Sequence, residues 1–96
     1  MNNIKELIQS PVFARQKKKL HKNQIQDLDQ AIRAIIANPA LGIMKTGDLQ
    51  GIQIYKFKSL KTQILLAYEV AGDKLYLYAF GSHQNFYKAL KKYLRH

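Results

Sequence analysis

The chain has 96 residues, enough for one domain, 1–96, with one modest hydrophobic core. Its 16 Lys and Arg against 6 Asp and Glu give a net charge of +10, which favours a polyanionic partner: nucleic acid first, then an anionic membrane or an acidic protein. The absence of cysteine excludes a disulfide framework, a thiolate metal site and a thiol nucleophile; with no apolar signal region and no run near the ~18 apolar residues of a membrane span, a cytoplasmic protein is expected.

Residues Ile4 to Ile8 read as a short strand. Ser10-Pro11 then starts a helix, with Ser as the cap and Pro at the first helical position, running through Phe13 to about Leu20. Its last turns carry Arg15, Lys17, Lys18 and Lys19, where cations suit the helix dipole. His21-Lys22-Asn23 interrupts, and Asn23 is the expected cap of a second helix. Ile25, Leu28, Ile32, Ile35 and Ile36 recur at helical spacing until Asn38-Pro39 stops it. So short a link predicts an antiparallel helical hairpin. Residues 38–51, with Pro39, Gly42, Gly47 and Gly51, read as a loop.

Three strands follow. Ile52 to Lys58 places Ile52, Ile54, Lys56 and Lys58 on one face, and Tyr55 and Phe57 on the other. Gln63 to Val70 is almost continuously apolar, as a central strand covered on both faces would be. After a Gly72-Asp73 turn, Lys74 to Phe80 sets Leu75 and Leu77 against Tyr76, Tyr78 and Phe80. Gly81-Ser82 ends the sheet, and Ser82 is placed to cap a last helix with an apolar stripe of Phe86, Tyr87, Leu90, Tyr93 and Leu94. The predicted class is α+β: order β-α-α-β-β-β-α, a mainly antiparallel four-stranded sheet, an N-terminal helical hairpin and a C-terminal helix.

This order resembles that of the RelE/ParE superfamily of bacterial toxins, and local sequences add to the likeness. Pro11-Val12-Phe13 with Lys19-Leu20 is similar to that family's "F…KL" first helix. Asn38-Pro39 with Gly42 resembles its "nP…G", and Gly47-Asp48-Leu49-Gln50-Gly51 its glycine-flanked entry to a basic strand. Leu66-Ala67-Tyr68-Glu69-Val70 is similar to its "…Y.v" strand, and Gly81-Ser82-His83-Gln84-Asn85-Phe86-Tyr87 to its "G-t/s-H…Y/F" ending. The GSHxNFY ending resembles a ParE-like subgroup. None of these is specific alone; their order and spacing carry the resemblance over nearly the whole chain.

The resemblance implies the toxin of a type II toxin-antitoxin system, held inactive by a cognate acidic antitoxin. It leaves two activities open: mRNA endoribonucleases, usually acting on the ribosome, and inhibitors of DNA gyrase without catalysis of their own. An inactive antitoxin-binding remnant is a third outcome. For RNA cleavage the resemblance implies catalytic roles for His83 in proton transfer, for Tyr87 against a base or through its hydroxyl, and for Lys56 and Lys58 at the scissile phosphate. Plainer roles exist for each: a helix-start residue, a core residue and a solvated sheet edge. Relatives often carry an Arg on the central strand; here none lies between Lys61 and Lys74. Glu69 is the acid of that strand, read as a surface carboxylate. Arg15, Lys17, Lys18, Lys19 and Lys22, with Lys61, Lys91, Lys92 and Arg95, are the candidate nucleic-acid contacts. Three His and scattered acids give no metal-ligand spacing, and no glycine-rich nucleotide loop is present, so no cofactor is expected.

Overall fold

The computed structural model describes residues 4–47, 50–82 and 86–87. Five strands and two helices follow in the order β1 (Glu6–Gln9), α1 (Pro11–Lys18), α2 (Lys22–Ala37), a 3-10 turn (Pro39–Leu41), β2 (Ile43–Met44), β3 (Gln53–Ser59), β4 (Thr62–Ala71) and β5 (Lys74–Ser82). The sheet order is β1-β5-β4-β3-β2, with β1 parallel to β5 and every other pair antiparallel. The expected four-stranded sheet is therefore corrected to a five-stranded mixed one. The extra strand comes from the stretch read as a loop: Ile43 pairs with Ile54 and Met44 with Gln53.

Ser10 starts α1 as its position before Pro11 predicts. Its Oγ accepts from the Phe13 N–H at 3.0 Å and donates to the Tyr78 carbonyl at 2.5 Å. Its own N–H donates to the Leu77 carbonyl at 2.9 Å. One residue thus caps the helix and fastens it to β5. Where β1 stops, Gln16 takes over: its Nε2 donates to the Phe80 carbonyl at 2.6 Å and its Oε1 accepts the Phe80 N–H at 3.0 Å. The amide serves as one more strand residue along the β5 edge.

The second helix begins earlier than expected. His21, not Asn23, is its N-cap, because the Gln24 side chain turns back to accept the His21 N–H at 3.0 Å. Asn23 lies inside the first turn, its Oδ1 accepting from the Gln24 N–H. Leu28, Ala31, Ile32 and Ile35 form the buried stripe. An ion pair from Lys17 to Asp29, 3.4 Å, links the two helices, and Ser59 Oγ donates to Asp27 at 2.8 Å, tying α2 to the end of β3.

The helices cover one face of the sheet, where Phe13, Leu28, Ile32 and Ile35 meet Leu66, Tyr68, Leu75, Leu77 and Phe80. Phe80 was expected opposite Leu75 and Leu77. A bulge corrects this: Ala67 pairs with Ala79 but Tyr68 with Leu77, so Tyr78 is an extra residue that inverts the alternation. Phe80 then packs edge-on against Phe13, ring centroids 5.2 Å apart. The other face carries a second cluster of Ile52, Ile54, Leu65, Ala67, Ala79 and Phe86. β4 is the central strand and is buried from Leu65 to Tyr68, as its apolar run predicts. The expected C-terminal helix lies mostly outside the described residues; Phe86 and Tyr87 within it have helical backbone. Among the described residues no helix is long and apolar enough to cross a membrane.

Candidate nucleic-acid interface

Of the expected catalytic residues, Lys56, Lys58 and Tyr87 lie on the face opposite the helices. β3 alternates, so Ile54, Lys56 and Lys58 project to the same side, the apolar start buried and both lysines exposed. Lys56 pairs with Leu65, and Leu65 in turn with Gly81. These three residues form a row about 10 Å across, from adjacent strands roughly 4.8 Å apart. Phe86 packs on Gly81: a Cβ there would stand 3.8 Å from Phe86 Cα. Phe86 is buried, and Tyr87 beside it is half-buried with its ring edge-on to Phe86 at 5.0 Å. Phe86 and Tyr87 are thus laid over the face that carries Lys56. His83, Lys91, Lys92 and Arg95 lie outside the described residues.

The other expected contacts are elsewhere. Arg15, Lys18, Lys19 and Lys22 are exposed where α1 meets α2. Lys17 beside them is paired with Asp29. Lys61 is at the tip of the β3–β4 hairpin. Glu69 is set four residues from Leu65 along β4, about 13 Å at ~3.3 Å per residue, and accepts the Tyr78 hydroxyl at 2.6 Å. That places it well away from the Lys56 row. Lys58 also borders a groove of about 250 Å³ between α2 and β3, with Asp27, Gln30, Ala31, Tyr55 and Phe57.

Two features were not anticipated. Lys45 follows β2, its N–H donating to the Ile52 carbonyl at 2.9 Å, and its Nζ stands 5.9 Å from the Tyr87 ring centroid. Recognising β2 would have placed it, because Ile43 opposite Ile54 puts Lys45 on the Lys56 face. The second is a buried polar knot that holds residues 39–42. Tyr68 Oη donates to the Pro39 carbonyl and accepts the Gly42 N–H, both at 2.8 Å; Gln53 Nε2 donates to the Pro39 and Gly42 carbonyls and to Tyr68 Oη, at 3.0, 3.2 and 3.2 Å. Burial raises the Tyr68 pKa above its ordinary 10.0; the Gly42 N–H opposes the shift and neighbouring Tyr55 adds to it. The hydroxyl therefore stays protonated and keeps donating. A single buried Gln between Ile52 and Ile54 was the sequence signal for this knot.

Among the described residues there is no group of three or more His, Asp or Glu able to hold a metal ion. What this face offers is two adjacent ammonium groups, a third at Lys45 and an aromatic ring. Those groups suit a phosphate backbone with a base beside it.

This architecture is that of the RelE toxins. An arginine-to-alanine double mutant of Escherichia coli RelE in the free state superposes with a TM-score of 0.73, at 13% identity, over 99% of this chain and 96% of that one. A chain of the intact E. coli RelBE toxin-antitoxin complex gives a TM-score of 0.63, at 17% identity, over 79% of this chain and 93% of that one. The YoeB/ParE toxin of Agrobacterium tumefaciens gives 0.62, at 14% identity, over 82% and 99%. No curated protein matches by sequence. Residues 7–91 match the ParE-like toxins of type II bacterial toxin-antitoxin systems, and the chain belongs to that family.

Proposed function

We propose that this toxin is a metal-independent endoribonuclease that cuts mRNA on the ribosome and so blocks translation in the cytoplasm. The observation that carries the reading is the exposed pair Lys56 and Lys58 on the sheet face over which Phe86 and Tyr87 pack. In this reading the 2′-oxygen of the RNA attacks the adjacent phosphorus, and the bond to the 5′-oxygen of the next nucleotide breaks. His83 handles the proton transfer, since an imidazole exchanges protons near neutral pH. Lys56 and Lys58 neutralise the charge that grows on the phosphorane oxygens. Tyr87 stacks on a base or places its hydroxyl. Arg15, Lys18, Lys19 and Lys22 grip ribosomal RNA backbone, with Lys17, Lys61, Lys91, Lys92 and Arg95 extending the footprint. A cognate acidic antitoxin silences the protein by covering the basic surface, a reading supported by the RelBE complex among the structural neighbours.

Primer extension on mRNA bound to translating ribosomes tests the assignment. Wild-type protein is expected to give discrete cuts, and Lys56→Ala with Lys58→Ala to slow cutting by about 100-fold, the loss of preorganised charge at the phosphate. Undiminished cutting by His83→Ala combined with Lys56→Ala means the site is elsewhere.

A second reading has its own support. β4 carries no Arg from Thr62 to Ala71, and the matching family is ParE-like. These favour a gyrase inhibitor that binds without catalysis. Full supercoiling by gyrase in a large excess of purified toxin excludes it.

A further inference from the structure

We propose that Lys45 is a phosphate-positioning residue of the RNA track, paired with Tyr87 and set apart from the cutting centre at Lys56. The backbone of Lys45 is fixed by its hydrogen bond to Ile52, directly after the Met44–Gln53 pair. Its side chain is therefore delivered to the same face as Ile52, Ile54 and Lys56. Ile52 precedes Lys56 by four residues, so Lys45 stands about 13 Å along the sheet from it at ~3.3 Å per residue. The two lysines thus start from well-separated points along the sheet.

The ammonium lies 5.9 Å from the Tyr87 ring centroid, within the range at which a ring face attracts a cation. That attraction is weaker than a charge-assisted hydrogen bond to a phosphate oxygen. When a single strand arrives, Lys45 exchanges the ring for a phosphate, and the uncovered ring face receives the adjoining base. The alternation of base-stacking ring and backbone-holding cation is the general means of gripping single-stranded nucleic acid. The inference rests on RNA as the substrate, and a probe that cannot be cut separates the two.

The test is anisotropy of a fluorescein-labelled, fully 2′-O-methylated oligoribonucleotide with the full-length protein, across about 50 to 200 mM salt. Lys45→Ala is expected to weaken binding roughly fivefold to tenfold at the low end. It should also flatten the plot of log affinity against log salt by about 0.7, the value of one single-strand phosphate contact. Lys45→Arg should retain the slope, and Tyr87→Ala should weaken binding without changing it. A salt slope unaltered in Lys45→Ala overturns the proposal, because a merely structural effect on Tyr87 moves affinity alone. So does a wild-type protein that ignores the probe but binds a polyglutamate peptide. Binding with the expected slopes, in a protein that never cuts ribosomal mRNA, leaves Lys45 in place and removes the nuclease reading.

Discussion

Gly42 shows how the fold can demand a single side-chain hydrogen. A Cβ there would stand 2.8 Å from Tyr68 Cε1 and Oη and 3.0 Å from the Ile54 carbonyl. The phenol is locked by its bonds to Pro39 and Gln53, and the carbonyl is backbone, so neither can give way. Gly42→Ala is expected to cost about 1–3 kcal/mol, the range for overpacking, read as a lower urea midpoint. Leu60 and Lys61 show the opposite case. They form the two-residue turn between β3 and β4 with φ of 51° and 68°, a left-handed conformation that side chains resist. Leu60 is also 54% exposed, so burial does not compensate. Leu60→Asn with Lys61→Gly supplies the residues such turns prefer. We expect a gain of about 1 kcal/mol and a rise in Tm of about 4–8 °C by calorimetry. At this scale the sequence disclosed the lysine pair: alternation alone puts Lys56 and Lys58 beside Ile54. It marked Gly42 as a motif glycine, but the reason, a phenol brought from β4, exists only in the fold.

The elements were legible where their apolar period is long. α2 repeats its stripe through 16 residues, and β4 is apolar through its centre; both are where the pattern puts them. β2 is two residues long and cannot show an alternation, and the Pro and Gly around it read as loop. Missing β2 also hid Lys45, whose face is set by that pairing. The bulge at Tyr78 was silent for a different reason: Tyr76, Tyr78 and Phe80 alternate regularly in sequence, and only the unequal pairing with β4 inverts the last of them. The end of α1 depends on a polar side chain rather than an apolar one. Gln16→Ala leaves the N–H and C=O of Phe80 without their partners at a partly buried edge. It is expected to destabilise by about 1–3 kcal/mol in chemical denaturation and to speed amide exchange at Phe80.

For the whole molecule, the +10 charge favours a polyanionic partner without choosing which one. The fold divides that charge. One group of lysines and Arg15 is exposed at the junction of the helices, and Lys56 and Lys58 occupy the opposite face of the sheet. Under the proposed ribosomal reading, RNA on many sides would engage both groups at once, and the sheet face would frame the substrate strand. Induction of the toxin without its antitoxin, followed by pulse labelling over the first minutes, tests the target most directly. Incorporation of labelled amino acids is expected to collapse while thymidine incorporation continues. Thymidine incorporation failing first would contradict the account, make DNA topology the target and return Lys56 and Lys58 to a solvated edge.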